Sequence, residues 1–97
     1  MKKKVYISGQ ITGLGLAEAH SHFSKIEELL ITQGHEPFNP MKLVPFEPGK
    51  LWQEYMKEDI KILLDCDAIF MLPNWVKSKG AQFELQLALT LGLEVIY

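Results

Sequence analysis

The chain has a single cysteine, Cys66. An internal disulfide and any metal centre built from several thiolates are therefore excluded, and Cys66 reads as a small buried residue leading into a strand. Excess positive charge is lacking as well: ten basic residues stand against twelve acidic ones, for a net charge of −2. That balance gives no electrostatic footprint for a nucleic-acid polymer or an anionic membrane, and Lys2, Lys3 and Lys4 form an exposed end instead of a patch. No long apolar run occurs. The stretch from Val5 to Ile7 is interrupted at once by Ser8 and Gly9, far too short for a signal-peptide core or a membrane span, so a cytoplasmic protein is expected. His20, His22 and His35 lack the spacing of metal ligands and read as structural or solvent-facing. Neither a metal nor an organic cofactor is expected.

What is there is 97 residues, 47% hydrophobic and 10% aromatic, which suits one globular domain over residues 1–97 with a real core. Strand-like and helix-like periods alternate along it, the pattern of βα units and a parallel sheet. Residues 4–8 predict a buried strand, followed by a turn over Gly9 to Gly15 and a helix from Leu16 to Gln33 with the stripe Leu16, Ala19, Phe23, Ile26 and Leu30. Gly34 stops that helix. Residues 35–39 form a short second strand ended by Pro40, and Pro45, Pro48 and Gly49 break residues 41–50 into irregular chain, a flap at the edge of the sheet. A helix over 51–64, a strand over 68–72, a loop over 73–79, a helix over 80–91 and a strand over 94–97 complete the pattern. The expected fold class is α/β: a flavodoxin- or Rossmann-like three-layer sandwich with a small parallel sheet of about four strands and about three main helices. Ligands of such sheets bind outside the carboxyl ends of the strands.

Two carboxylates stand where these helices should be apolar. At about 100° per residue, the last helix gathers Ala81, Phe83, Leu85, Leu87, Ala88, Leu89 and Leu91 on one arc with Gln82, Gln86 and Thr90 opposite, and Glu84 lies inside the arc. The helix before it collects Leu51, Trp52, Tyr55, Met56, Ile60, Ile62 and Leu63, with Asp59 among them and Gln53, Glu54, Lys57, Glu58 and Lys61 facing solvent. A buried unpaired carboxylate is costly and shifts its pKa upward, and such a cost marks a candidate site.

Other residues admit a chemical and a structural reading side by side. The turn Gly9, Gln10, Ile11, Thr12, Gly13, Leu14, Gly15 can bring backbone amides close to a phosphate. Its glycine spacing fits neither the dinucleotide fingerprint nor the P-loop, so a plain flexible turn serves equally. Ser78 before Lys79 and Gly80 is a helix N-cap whose neighbouring amides could also receive an anion. Tyr6 is either a core residue with one hydrogen bond or the partner that fixes a catalytic carboxylate. Trp75 could stack on a nucleobase, or close over the core or a subunit interface. Two carboxylates, a tyrosine and an anion-friendly loop suggest chemistry at an acetal carbon, where one carboxylate attacks and a second acid assists the leaving group.

The order and spacing of Tyr6, Gly9, Gly13, Asn39-Pro40, Asp59, Leu63, Cys66-Asp67, Ser78, Gly80-Ala81 and Glu84 resembles the nucleoside 2-deoxyribosyltransferase superfamily, which includes the 2'-deoxynucleoside 5'-phosphate N-hydrolases. The likeness runs over essentially the whole chain. It implies Glu84 as nucleophile on the anomeric carbon, Tyr6 as its orienting partner, Asp59 as a sugar-binding and acid/base residue, and Gly9, Gln10, Ile11, Gly13, Asn39, Trp75, Ser78 and Gly80 around the substrate. Ser78 is similar to the phosphate-contacting serine of the N-hydrolases, where transferases tend to carry aspartate. The chain stops at Tyr97, short of the C-terminal extension through which transferase subunits complete a neighbour's site, and the loop over 41–50 has no clear counterpart.

The expected function is cleavage or exchange of the N-glycosidic bond of a (deoxy)nucleoside or its 5'-monophosphate. The alternative is a non-catalytic module that senses or sequesters a nucleotide or nucleotide-derived signal, and a third possibility is an assembly protein with a vestigial pocket. The partner is a small-molecule nucleoside or nucleotide, with no nucleic-acid polymer and no membrane. A homodimer or higher homo-oligomer is expected, because the apolar surface around Trp52, Tyr55 and Met56 calls for cover.

Overall fold

The computed structural model describes residues 2–97. Its elements follow the sequence pattern: β1 (Lys4–Ser8), α1 (Leu16–Thr32), β2 (Glu36–Phe38), α2 (Pro40–Leu43), α3 (Trp52–Leu64), β3 (Ala68–Met71), a 3₁₀ turn (Trp75–Lys77), α4 (Lys79–Leu91) and β4 (Glu94–Ile96). The strands form one parallel sheet in the order β2-β1-β3-β4. Parallel strands need crossover connections, and the helices supply them. They also cover both faces, so β1 carries no polar alternation: Val5, Tyr6 and Ile7 are all fully buried.

Each face of the sheet has its own core. Val5, Ile7, Ala68 and Leu72 pack against Ala19, Phe23 and Leu30 of α1, whereas Tyr6, Ile69 and Met71 pack against Leu63 of α3 and Ala81, Leu85 and Ala88 of α4. The result is helix, sheet, helix. The chain leaves β1 toward β2 on one side and returns to β3 on the other, so the strand order reverses between β1 and β3. There the outgoing loops diverge and open a crevice at the carboxyl edge.

Three readings change. Residues 41–50 are not wholly irregular: Pro40 begins the one-turn helix α2, and the Asn39 Oδ1 accepts from the Met41 amide at 2.9 Å. Proline suits that first position because its missing N–H had no partner to lose. The broad apolar arc of α4 also divides. Gly80, Ala81, Glu84, Leu85 and Ala88 are buried, while Phe83, Leu89 and Leu91 are more than half exposed. A single sheet face admits only a stripe of a helix. Glu84 thus sits at the centre of the buried stripe. Finally, of the surface assigned to Trp52, Tyr55 and Met56, only Trp52 is exposed; all three line the cavity described below. No helix among the described residues is long and apolar enough to cross a membrane.

Candidate active site

Strand alternation puts Tyr6 and Ser8 on the same face of β1, the face covered by α3 and α4. The pairing Tyr6↔Ile69 and Ser8↔Met71 fixes β1 beside β3, and the chain that leaves β3 turns into α4 above them. Ser78 starts that helix: its Oγ accepts from the Ala81 amide at 3.1 Å, occupying one of the donors a helix N-terminus leaves open. Glu84 follows after one further turn and points back at β1. The Tyr6 Oη donates to Glu84 Oε2 at 2.6 Å, and the Ser8 Oγ donates to Oε1 at 2.7 Å. Both carboxylate oxygens are held by buried hydroxyls, so the rotamer of Glu84 is fixed.

Beside this triad a cavity of about 500 Å³ opens at the strand-order reversal. Tyr6, Ser8, Asp59, Ser78 and Glu84 supply its polar wall. Two glycines shape the floor. A Cβ on Gly9 would come within 2.4 Å of Leu72 Cδ1, so only glycine lets the turn pass this close to β3; Gly13, at φ +91°, occupies a conformation that L side chains rarely adopt. The loop between α2 and α3 forms the roof through Val44 and Phe46. It is tied down by Tyr55, whose Oη accepts from the Glu47 amide at 2.8 Å and donates to the Glu47 carbonyl at 3.0 Å.

Burial pushes Glu84 up to about 7, against the two hydroxyl donors, which favour its charged form. Burial also raises Asp59 to about 7, followed by the negative charges of Glu84 and Glu58, with Lys50 opposing. The two carboxylates are not equivalent. Glu84 has donors on both oxygens, which favour its anion against burial, whereas for Asp59 burial and the charge of Glu84 both favour the protonated form. Tyr6 is raised well above the ordinary phenol, first by burial and then by Glu84 and Asp59, so it remains a donor. Among the described residues, no group of three His, Cys, Asp or Glu could hold a metal ion.

A family model, that of a domain of unknown function designated DUF4406, matches residues 3–97. The chain belongs to the DUF4406 family. Solved structures similar to this DUF4406 domain include the 2-deoxyribosyltransferase of the psychrotolerant bacterium Bacillus psychrosaccharolyticus, at a TM-score of 0.73 and 24% identity, over 95% of this chain and 69% of that one. Another is the 2-desoxiribosyltransferase of Leishmania mexicana, at a TM-score of 0.67 and 21% identity, over 96% of this chain and 61% of that one. The fold of the DUF4406 domain is therefore nucleoside 2-deoxyribosyltransferase-like. No curated protein matches it.

Within the DUF4406 domain, Tyr6, Gly9, Ile11, Gly13, Asp59, Ser78, Gly80 and Glu84 all line the cavity. Gln10, Asn39 and Trp75 are not among its lining residues. The Gln10 amide donates to Asn74 Oδ1 at 3.1 Å. Asn39 is consumed as the cap of α2, with its Nδ2 donating to Glu27 Oε1 at 3.3 Å, and Trp75 packs on the core beneath α4. Ser8, Lys50 and His20 are polar lining residues that the sequence reading did not place at the site. Ser8 could have been found by strand alternation from Tyr6. Lys50 lines the cavity with its side chain only 10% exposed and pairs with Glu58, a tertiary arrangement that leaves no periodic signal. His20, read as structural or solvent-facing, also lines the cavity and is half-buried; α1 rotates it toward the mouth beside Leu16 and Phe23.

Proposed function

We propose that this domain cleaves or exchanges the N-glycosidic bond of a (deoxy)nucleoside or its 5'-monophosphate, with Glu84 as the nucleophile. A single observation carries the reading: a buried carboxylate, held on both oxygens by Tyr6 and Ser8, borders a cavity that also contains a second carboxyl group. Each carboxylate oxygen retains a lone pair beyond the one engaged by its hydroxyl donor. In the first step an oxygen of Glu84 forms a bond to the anomeric carbon while the bond from that carbon to the base nitrogen breaks, and the base takes up a proton from Asp59. In the second step water or another base attacks the same carbon, returns a proton to Asp59 and releases Glu84 as carboxylate. Tyr6 and Ser8 assist that release because their hydrogen bonds strengthen as charge returns to Glu84.

The likeness to two solved 2-deoxyribosyltransferases supports glycosyl transfer as the class of chemistry. Ser78 and Gly80 border the cavity at the beginning of α4, where helix amides favour an anion, and this supports a 5'-monophosphate over a free nucleoside. The reading includes a cytoplasmic homo-oligomer and requires no metal or organic cofactor.

Chromatography of products tests it. Wild type and Glu84→Ala are incubated with nucleosides and 5'-monophosphates, with and without a second free base. Free base released by wild type alone is the expected result, and appearance of a new nucleoside would identify exchange. If no substrate is consumed while nucleotides still raise the melting temperature, the glycosidic reading falls and a nucleotide-binding module replaces it.

A further inference from the structure

The loop that roofs the cavity ends in a charge. The side chain of Lys50 lines the cavity and is only 10% exposed. It is the one lysine or arginine in the lining among the described residues, and the sequence holds no arginine at all. Three contacts fix the ammonium: it pairs with Glu58, lies 3.7 Å from Glu47 Oε1, and sits over the Tyr55 ring at 4.7 Å from its centre. Both carboxylate partners reach solvent, with side chains 47% and 64% exposed, so pairing alone does not require drawing the lysine under the roof.

What the burial achieves lies on α3. Tyr55 precedes Asp59 by one turn and Glu58 precedes it by one residue, and side chains four apart on a helix are neighbours. A charge held between Tyr55 and Glu58 therefore stands beside Asp59, itself buried. The other titratable groups around that carboxyl are Glu84 on α4, Tyr6 on β1 and Glu58 on its own helix, with His20 of α1 bordering the same cavity. Burial, Glu84 and Glu58 all hold the proton on Asp59, and Lys50 is the charge that opposes them. An acid that gives up a proton in one step and recovers it in the next works best when neither form is held too firmly. We propose that Lys50 is a positioning residue that acts through Asp59: from the roof loop it keeps a fixed positive charge beside that carboxyl and so readies the proton for the departing base. The proposal rests on the glycosidic reading above.

Two measurements on the full chain test it. The first follows the side-chain carboxyl-carbon resonance of Asp59 by NMR as pH rises, assigned by its loss in Asp59→Asn. Lys50→Met keeps the aliphatic stem and removes the charge, so the Asp59 midpoint should move to higher pH, and Lys50→Arg should restore it. Glu58→Gln breaks the same ion pair but removes a negative charge, so the midpoint should move to lower pH. A merely loosened roof would move both variants the same way. The second measurement compares kcat/KM on nucleosides or 5'-monophosphates with that on 4-nitrophenyl 2-deoxyribofuranoside, whose leaving group departs without a proton. Lys50→Met should lose several-fold on the nucleobase substrates, shift the alkaline limb of their pH profile upward with the acid limb unmoved, and keep its rate on the aryl glycoside. An Asp59 midpoint unchanged in Lys50→Met overturns the proposal. So do midpoints that move together in Lys50→Met and Glu58→Gln, or an equal loss on both kinds of substrate; none of these touches the glycosidic reading while wild type still releases free base. Opposite midpoint shifts with no wild-type turnover on any substrate sink the glycosidic reading and leave the link from Lys50 to Asp59 standing. Unmoved midpoints with no turnover sink both.

Discussion

Glu84 is costly to bury, and the two hydroxyls that face it decide what the cost achieves. Removing one donor by Tyr6→Phe leaves the ring in place but withdraws a hydrogen bond from the charged form, so Glu84 should rise above its value of about 7. A hydrogen bond to a charged group contributes about 1.5–3 kcal/mol, and kcat/KM should fall by about one to two orders of magnitude. The acid limb of the pH–rate profile should move to higher pH, which a purely structural tyrosine would not cause. Ser8→Ala should act in the same direction. Wild type should give a bell-shaped profile near neutrality, falling on the acid side as Glu84 takes a proton and on the alkaline side as Asp59 loses one. Gly9 supplies a separate test by packing: Gly9→Ala brings a Cβ within 2.8 Å of Leu72 Cβ, and thermal unfolding should show a loss of about 1–3 kcal/mol from overpacking.

Among the elements, α4 couples the fold to the site. Its N-cap, its buried stripe and Glu84 lie on one continuous face, so docking the helix onto β1 and β3 also aims Glu84. Ser78→Ala removes the hydrogen bond from the Ala81 amide and should cost about 1 kcal/mol of stability. If a 5'-phosphate occupies this end of the helix, the same variant should raise KM for the monophosphate and spare the nucleoside; an equal change for both would reject that placement. The periodicity of α4 was legible in the sequence, and so was the misfit of Glu84. Which half of the apolar arc faces the sheet was not, because Phe83 and Leu85 are equally hydrophobic and only the position of β3 chooses between them. Asn39, placed around the substrate by the resemblance, gives its side-chain oxygen to the Met41 amide of α2, a contact set by the turn into that helix.

For the molecule as a whole, the two raised carboxyls make the fold pH-sensitive in a defined sense. Glu84 moves from an ordinary 4.5 and Asp59 from 3.8, each to about 7, so the folded state holds protons that the unfolded chain has released. Their contribution to stability is complete below the unfolded values and is lost as pH rises through about 7. Relative to wild type, Glu84→Gln should therefore gain stability as pH increases from about 4 to about 8, by on the order of 3 kcal/mol. Denaturant unfolding across that range checks the trend, and a constant difference would contradict it. The exposed apolar side chains Phe83, Leu89 and Leu91 on the outer side of α4 make a homodimer the smallest expected assembly. Sedimentation should give a mass above one chain, falling toward a monomer when Phe83 and Leu89 are both replaced by Lys.

The sequence by itself determined the strand and helix order, the parallel sheet and the two anomalous carboxylates, because all of these follow from local periodicity and from the rule that an apolar face must be covered. It also located the close turn at Gly9 and the cap at Ser78, whose chemistry is confined to a few neighbouring residues. The tertiary structure alone decided the pairing of Tyr6 and Ser8 with opposite oxygens of Glu84, the side of the cavity that His20 borders and the burial of Lys50. Those contacts join residues far apart in the chain, and nothing in a local pattern specifies how one element rotates against another. That rotation is set when the two cores close on the sheet.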